Sequence, residues 1–207
     1  MRASVSGQTD WQRIARRIRV PTGFVFAAVF LWLARPSWRT MLASLVLVVP
    51  GLWLRAYASG YVRKNAELTT TGPYAYTRNP LYLGSMLIAF GFAAAAWNLA
   101  ILITLAALFV AIYIPTIHSE EEYLRGHFAG FDAYAHQVPR LLPKLTAARP
   151  AIPAENGERG GFSPALYRKH REYNALMGVG AIYLALTLIL VEHHLSRAGL
   201  GKPSWWP

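Results

Sequence analysis

Leu81–Ile117 reads LYLGSMLIAFGFAAAAWNLAILITLAALFVAIYIPTI, 37 consecutive residues without one Asp, Glu, Lys or Arg. As a single α-helix this run would be about 55 Å long, nearly twice the roughly 30 Å hydrocarbon core of a bilayer. It therefore reads as two spans joined by a turn, with Trp97-Asn98 as the natural break. That hairpin decides the fold class, an all-α integral membrane helical bundle. Composition agrees: of 207 residues 54% are hydrophobic and only 15% charged, where a soluble domain carries about a quarter charged. Mean hydropathy is positive.

Working outward, Asn174–Val191 is a further uncharged run of 18 residues. Val20–Ala34 and Thr40–Leu54 hold 15 each, about 22 Å, short for a span. They reach across by extending with Trp38, Ala56 and Tyr57 while Arg35, Arg39 and Arg55 snorkel. The expectation is about five transmembrane helices in one membrane domain. Residues 1–19 form a basic interfacial helix, with Trp11, Ile14 and Ile18 on one face and Arg13, Arg16, Arg17 and Arg19 around it. Residues 20–143 form the core, 144–173 a cytosolic loop, and 174–191 an additional C-terminal span. Pro50-Gly51 is expected to kink the second span. Leu124, Phe128, Phe131 and Tyr134 recur at helical spacing, so the fourth span is expected to continue as an amphipathic helix until Pro139 and Pro143 stop it.

The formal charge is +11. With a cytoplasmic N-terminus and five crossings, the inner segments hold 17 of the 21 Lys and Arg, leaving Arg35, Arg39, Arg197 and Lys202 outside. This positive-inside bias accounts for the basic charge with no nucleic acid partner. It also places the site in the cytoplasm, at the inner membrane if the source is bacterial. Trp32-Leu33-Ala34 before Arg35 lacks the small residues of a cleavage site, so the first span is expected to be retained. Without cysteine there is no disulfide, thiolate nucleophile or Cys-ligated metal.

Two motifs flank the hairpin. Ahead of it lies Gly72–Gly84, GPYAYTRNPLYLG. Pro80 suits the first helical turn, where its missing N–H costs nothing. Arg78 and Asn79 then stand at the positive end of the helix and favour a carboxylate or phosphate, with Tyr74, Tyr76 and Tyr82 as aromatic walls. The plainer alternative is an interfacial tyrosine belt. Behind the hairpin comes Glu120-Glu121-Glu122. Adjacent acids at a helix C-terminus repel the dipole and one another, so they call for a cation, whether a metal, a ligand ammonium or nearby arginines, unless they are merely solvated. A hairpin returns both motifs to one membrane face. A carboxylate binder beside an ammonium binder suits a zwitterionic amino-acid moiety such as that of S-adenosylmethionine. His118, His127 and His136 recur every nine residues, too far apart to share a metal, and no metal site is expected.

The set Gly72, Tyr74, Arg78, Asn79, Pro80, Tyr82; then Glu120, Glu121, Leu124; then Val138, Pro139, Arg140, Pro143 resembles the isoprenylcysteine carboxyl methyltransferase family and its phospholipid methyltransferase relatives, over roughly residues 40 to 143. The resemblance implies a helical membrane methyltransferase without a Rossmann domain, which binds S-adenosylmethionine in a cytosol-facing pocket and admits a lipophilic acceptor from the bilayer. Carried over, Arg78, Asn79, Tyr82, Glu120 and Glu121 line that pocket, with Tyr74 and Leu124 close by. Arg78, Glu121 and His118 are the candidate catalytic residues. Two departures stand out. The family usually has His where this chain has Asn79, and the stretch from Leu124 to Phe131 is one residue shorter, leaving open which two glutamates match.

A carboxylate acceptor needs a cation to position it, for which Arg140 or the Arg168/Arg171 pair is available. An amine or hydroxyl acceptor needs a proton acceptor, for which His118 is the candidate. Two other classes are to be weighed. One is a nicotinamide-dependent membrane reductase, whose further spans a chain of this length does not accommodate; the other is a non-catalytic membrane scaffold, of which Asn79 would be the first sign.

Overall fold

The computed structural model describes residues 26–63, 67–148 and 161–197. The expected interfacial helix 1–19 and the start of the first span lie outside them, as do residues 149–160 of the loop 144–173. Eight α-helices are seen among the described residues, and no strand. They are α1 (26–33), α2 (Trp38–Ser59), α3 (Pro80–Ala96), α4 (Leu99–Leu108), α5 (Ile114–His127), α6 (Phe131–Gln137), α7 (Pro164–Lys169) and α8 (Tyr173–Arg197). A 3₁₀ turn, Gly72–Ala75, precedes α3, and a π-helical turn, Phe109–Tyr113, joins α4 to α5 without a break.

Three of these helical stretches are long and apolar enough to cross a bilayer: Trp38–Ser59, Leu99–His127 and Tyr173–Ser196. Helix α3, with 17 residues, is shorter. The sequence expectation of about five spans is therefore matched in class, with three spans of full length among the described residues.

The chain reverses where the run was expected to break. Helix α3 ends at Ala96, Trp97 takes a left-handed conformation (φ 48°), and Asn98 caps α4 by accepting from the N–H of Ala100 at 2.9 Å and of Ile101 at 3.4 Å. Two devices lace this end to the α1–α2 connection. The N–H of Arg35 donates to the Ala96 carbonyl at 2.9 Å, and the Asn98 side chain donates to the Leu33 carbonyl at 3.0 Å. A core of Phe30, Met41, Ile101, Leu105, Phe109 and Leu186 fills the space between the helices here.

Helices α2 and α3 pack along their length because small residues face each other. A Cβ on Gly51 would lie 2.8 Å from the Gly84 carbonyl oxygen, and one on Gly84 would lie 2.8 Å from that of Gly51. Both positions need glycine for this approach. Pro50 sits inside α2, which runs unbroken from Trp38 to Ser59.

At the other end the structure corrects the sequence reading. The expected amphipathic continuation of the fourth span is broken: α5 stops at His127, Phe128 is extended, and α6 starts only at Phe131. The break lets α6 fold back, so that Phe131, Tyr134 and Val138 are buried together against Leu68 and Leu124. One straight helix would have carried Phe131 away from Leu124.

Candidate active site

The cavity of interest, about 440 Å³, lies at the start of α3. Its walls come from both flanking motifs. Tyr74, Arg78, Asn79 and Tyr82 enter from the first, Glu120, Glu121 and Leu124 from the second, with Tyr113, Phe128 and Phe131 as further aromatic wall. Every residue that the resemblance places at the cofactor thus lines one cavity, whereas Tyr76, expected as a third aromatic wall, is exposed and outside the lining. The hairpin returns α5 to the face where α3 begins, and Leu99–His127, about 44 Å long, carries its acids beyond the apolar core.

Asn79 precedes the first residue of α3, with Pro80 opening that helix. Arg78 is held by its backbone, whose N–H donates to the Pro139 carbonyl at 2.9 Å. Thr77 adds a hydroxyl bond to the Leu141 carbonyl at 2.9 Å, and the Asn79 amide donates to the Arg140 carbonyl at 2.8 Å. The Val138–Leu141 stretch is therefore pinned against the first motif, and Asn79, standing where the family usually has His, serves this connection.

Arg78 and Glu121 form a buried ion pair at 3.3 Å, with side chains 13% and 6% exposed. Arg140 closes on the same carboxylate from outside, at 2.9 Å, and its other nitrogen donates to the imidazole Nε2 of His118 at 3.2 Å. Glu121 is thus clamped between two guanidiniums, which accounts for its burial. The Nε of Arg78 is buried with no hydrogen-bond partner among the described residues, an unusual state for a charged donor. The neighbouring Glu120 is exposed and accepts from the Tyr82 hydroxyl at 2.9 Å, while Glu122 is exposed and does not line the cavity. Tyr82 meets Tyr113 edge to face, with centroids 5.1 Å apart. The π turn that ends at Tyr113 falls just before Pro115, which has no N–H to offer the preceding turn.

Beneath the cavity the Tyr134 hydroxyl donates to the Tyr74 carbonyl at 2.8 Å. Burial pushes both phenols well above their ordinary value, so both stay neutral donors.

The remaining expected residues fall outside the lining. His118 is exposed and bonded to Arg140, and Arg168 and Arg171, just before Glu172 in sequence, are exposed. What the C-terminal segment contributes is Glu172, which binds Arg55 through both carboxylate oxygens at 2.9 and 3.0 Å. Arg55, expected to snorkel, instead turns inward to this acid. The signal was present in the sequence: Glu172 is the sole acid between residues 161 and 191, on a basic flank. Among the described residues no group of three or more His, Asp or Glu is placed to hold a metal ion.

Comparison with known proteins agrees with the motifs. Residues 39–130 match the family described as phospholipid methyltransferase, the group of integral membrane methyltransferases that the motifs resemble. The cobalt-zinc-cadmium resistance protein CzcN of Cupriavidus metallidurans and the nickel-cobalt-cadmium resistance protein NccN of Alcaligenes xylosoxydans xylosoxydans are each 37% identical over 109 residues, 53% of this chain. The chain spans about half the length, 50%, of these curated relatives. No solved structure matches.

Proposed function

We propose that the protein is an S-adenosylmethionine-dependent methyltransferase that acts at the membrane on a lipophilic acceptor, such as a prenylcysteine-type carboxylate or a lipid headgroup. The observation that carries this reading is the union of the two motifs in one cavity, with the unpartnered Nε of Arg78 on one side and the carboxylate of Glu120 on the other. The residues fit the cofactor. Arg78 offers a buried cation to a carboxylate, Glu120 offers a carboxylate to an ammonium, and the aromatic wall suits an adenine ring. The volume lies within the roughly 300–1,000 Å³ of small-molecule sites.

When bound, S-adenosylmethionine supplies a methyl group already activated by the sulfonium. The protein's part is then to bind, to align and to exclude water. Glu121 keeps Arg78 in place by sharing it with the cavity, and Arg140 holds the Glu121 carboxylate from behind. Tyr82, fixed between Tyr113 and Glu120, holds that carboxylate toward the cavity. A carboxylate acceptor needs no proton removed. For an amine or hydroxyl acceptor His118 is the candidate base, and its Nε2 becomes available once it parts from Arg140. The site faces the cytoplasm in this reading, following the basic loops.

The test is calorimetric titration of the detergent-purified protein with S-adenosylhomocysteine, alongside Arg78→Ala and Glu121→Gln. Micromolar binding that both substitutions weaken at least tenfold is expected. A folded protein that ignores S-adenosylhomocysteine but takes a nicotinamide nucleotide would move the reading to a reductase. One that takes neither would leave a scaffold.

A further inference from the structure

Helix α2 crosses the apolar layer with an arginine near its end, and an ionisable group in such a place asks for a partner and a role. The partner of Arg55 is Glu172, and together they line the cavity described above. All five N–H groups of Arg55 are taken. Nε and Nη2 go to Glu172, while Nη1 is shared between the Leu81 carbonyl and the Ser85 hydroxyl. A carboxylate ligand therefore finds no free donor on Arg55. Glu172 differs. Its two oxygens accept three bonds from Arg55, and an ionised carboxylate has about four acceptor sites. One acceptor position is left on a side chain that is 12% exposed and borders the cavity.

The ion pair is not alone in holding the C-terminal segment. That segment is already fixed to the end of α2 by three other contacts. The N–H of Ser163 donates to the Gly60 carbonyl at 2.9 Å, His170 Nδ1 bonds the Ser59 carbonyl at 3.0 Å, and Phe162 stacks on Tyr57. Between α7 and α8, Arg171 adopts a left-handed conformation (φ 53°), rare outside glycine, immediately before Glu172 turns to Arg55. A tether alone would be served as well by apolar side chains, since burying two charges costs desolvation.

We propose that Glu172, oriented by Arg55, is a ligand-contacting residue of the cavity and accepts a hydrogen bond from a hydroxyl or amine of the bound molecule. This rests on the methyltransferase reading and extends the site beyond the family match, which ends at residue 130. The donor belongs either to the cofactor, through its ribose hydroxyls or adenine amine, or to the acceptor.

The experiment uses the full chain in nanodiscs, as wild type, Glu172→Gln and, as control, Glu192→Gln at an exposed position of α8. Each is titrated with S-adenosylhomocysteine, then, with that ligand present, with short-chain phosphatidylethanolamine and with N-acetyl-S-farnesylcysteine. A fivefold or greater loss on the first arm in Glu172→Gln assigns the donor to the cofactor. A loss confined to the phosphatidylethanolamine arm assigns it to the acceptor. A folded Glu172→Gln that binds every ligand like wild type overturns the proposal and leaves the pair a tether. Should Glu172→Gln not fold, the double variant Arg55→Met/Glu172→Met decides, since it keeps the packing and removes the acceptor: unchanged binding overturns the proposal, and a fivefold loss supports it. Wild type that binds nothing on any arm sinks the methyltransferase reading itself, a pattern distinct from loss in the variants alone.

Discussion

Glu121 and Glu122 are neighbours in sequence with opposite fates. Glu121 lies between Arg78 and Arg140, buried, while Glu122 faces outward. Removing one member of a buried ion pair leaves a charge with nothing to answer it, at a cost of about 3 kcal/mol, whereas an exposed charge moves stability by about 0.5 kcal/mol or less. Glu121→Ala is accordingly expected to lower the melting temperature sharply and Glu122→Ala hardly at all, read by thermal unfolding in detergent. Equal melts would mean that the clamp contributes nothing. Arg171 gives a second contrast. At φ 53° its backbone, not its charge, is the unusual feature. Arg171→Gly should leave both fold and ligand binding close to wild type, because glycine takes this conformation freely. Arg171→Val should destabilise by about 1–2 kcal/mol, since a β-branched residue suffers most there. If Arg171→Gly abolished ligand binding in a folded protein, the guanidinium would be a ligand contact after all.

The α2–α3 pair sets the position of Arg55 relative to the start of α3, so its closeness matters to the site as well as to the fold. A Cβ on Gly84 would meet the Arg55 side chain at 2.6 Å, the Gly51 carbonyl at 2.8 Å and the Arg55 backbone nitrogen at 3.3 Å, whereas one on Gly178, in the second turn of α8, would meet nothing within 4 Å. Gly84→Ala is expected to push the helices apart, costing about 1–3 kcal/mol as overpacking does, and to weaken S-adenosylhomocysteine binding as Arg55 shifts. Gly178→Ala is expected to be neutral or to stabilise by up to about 1 kcal/mol through helix propensity. Thermal melts and titration of the two variants side by side check this, and a Gly84→Ala protein indistinguishable from wild type would sink it. How far such elements were legible follows from the signal each leaves. The hairpin was readable because a charge-free run of 37 residues cannot be one span and Trp97-Asn98 is its polar break. Arg78, Tyr82 and Glu120 were readable because they sit at the ends of that run. Arg55 was not, since an arginine near a helix end looks alike whether it snorkels or turns inward, and the choice depends on Glu172, 117 positions away. The stop of α5 at His127 was hidden for a similar reason. Leu124, Phe128, Phe131 and Tyr134 keep helical spacing across the break, and what favours the fold-back is the burial of Phe131 and Tyr134 against Leu124 and Leu68.

On the scale of the whole molecule, the two ends are held by different means. One end is apolar packing among spans, with a few backbone bonds at the turns. The other, which carries the site, is built from chain outside the spans: residues 128–148 wrap the 3₁₀ turn, with Lys144 and Ala148 donating to the Tyr76 and Ala75 carbonyls at 3.0 and 2.9 Å. At its centre are Tyr74 and Tyr134, whose phenols burial holds neutral well past their usual range. The consequence for stability has a definite sign. In the unfolded chain these phenols ionise at about pH 10. The folded protein retains their protons, so above that point the unfolded state binds fewer, and stability falls as pH rises. The contribution is fully present below about pH 10 and is lost as pH climbs toward the raised folded values. Melting temperature should therefore be level from neutral pH to about 9 and then decline. Tyr134→Phe removes one of the two groups together with its bond to the Tyr74 carbonyl. It should cost about 1 kcal/mol at neutral pH and make the alkaline decline shallower, which melts of both proteins between pH 7 and 11 measure. A decline equally steep in the variant would place the alkaline weakness elsewhere, in the lysines or the more exposed tyrosines, and would remove Tyr134 from the set of groups that lock the site end of the molecule.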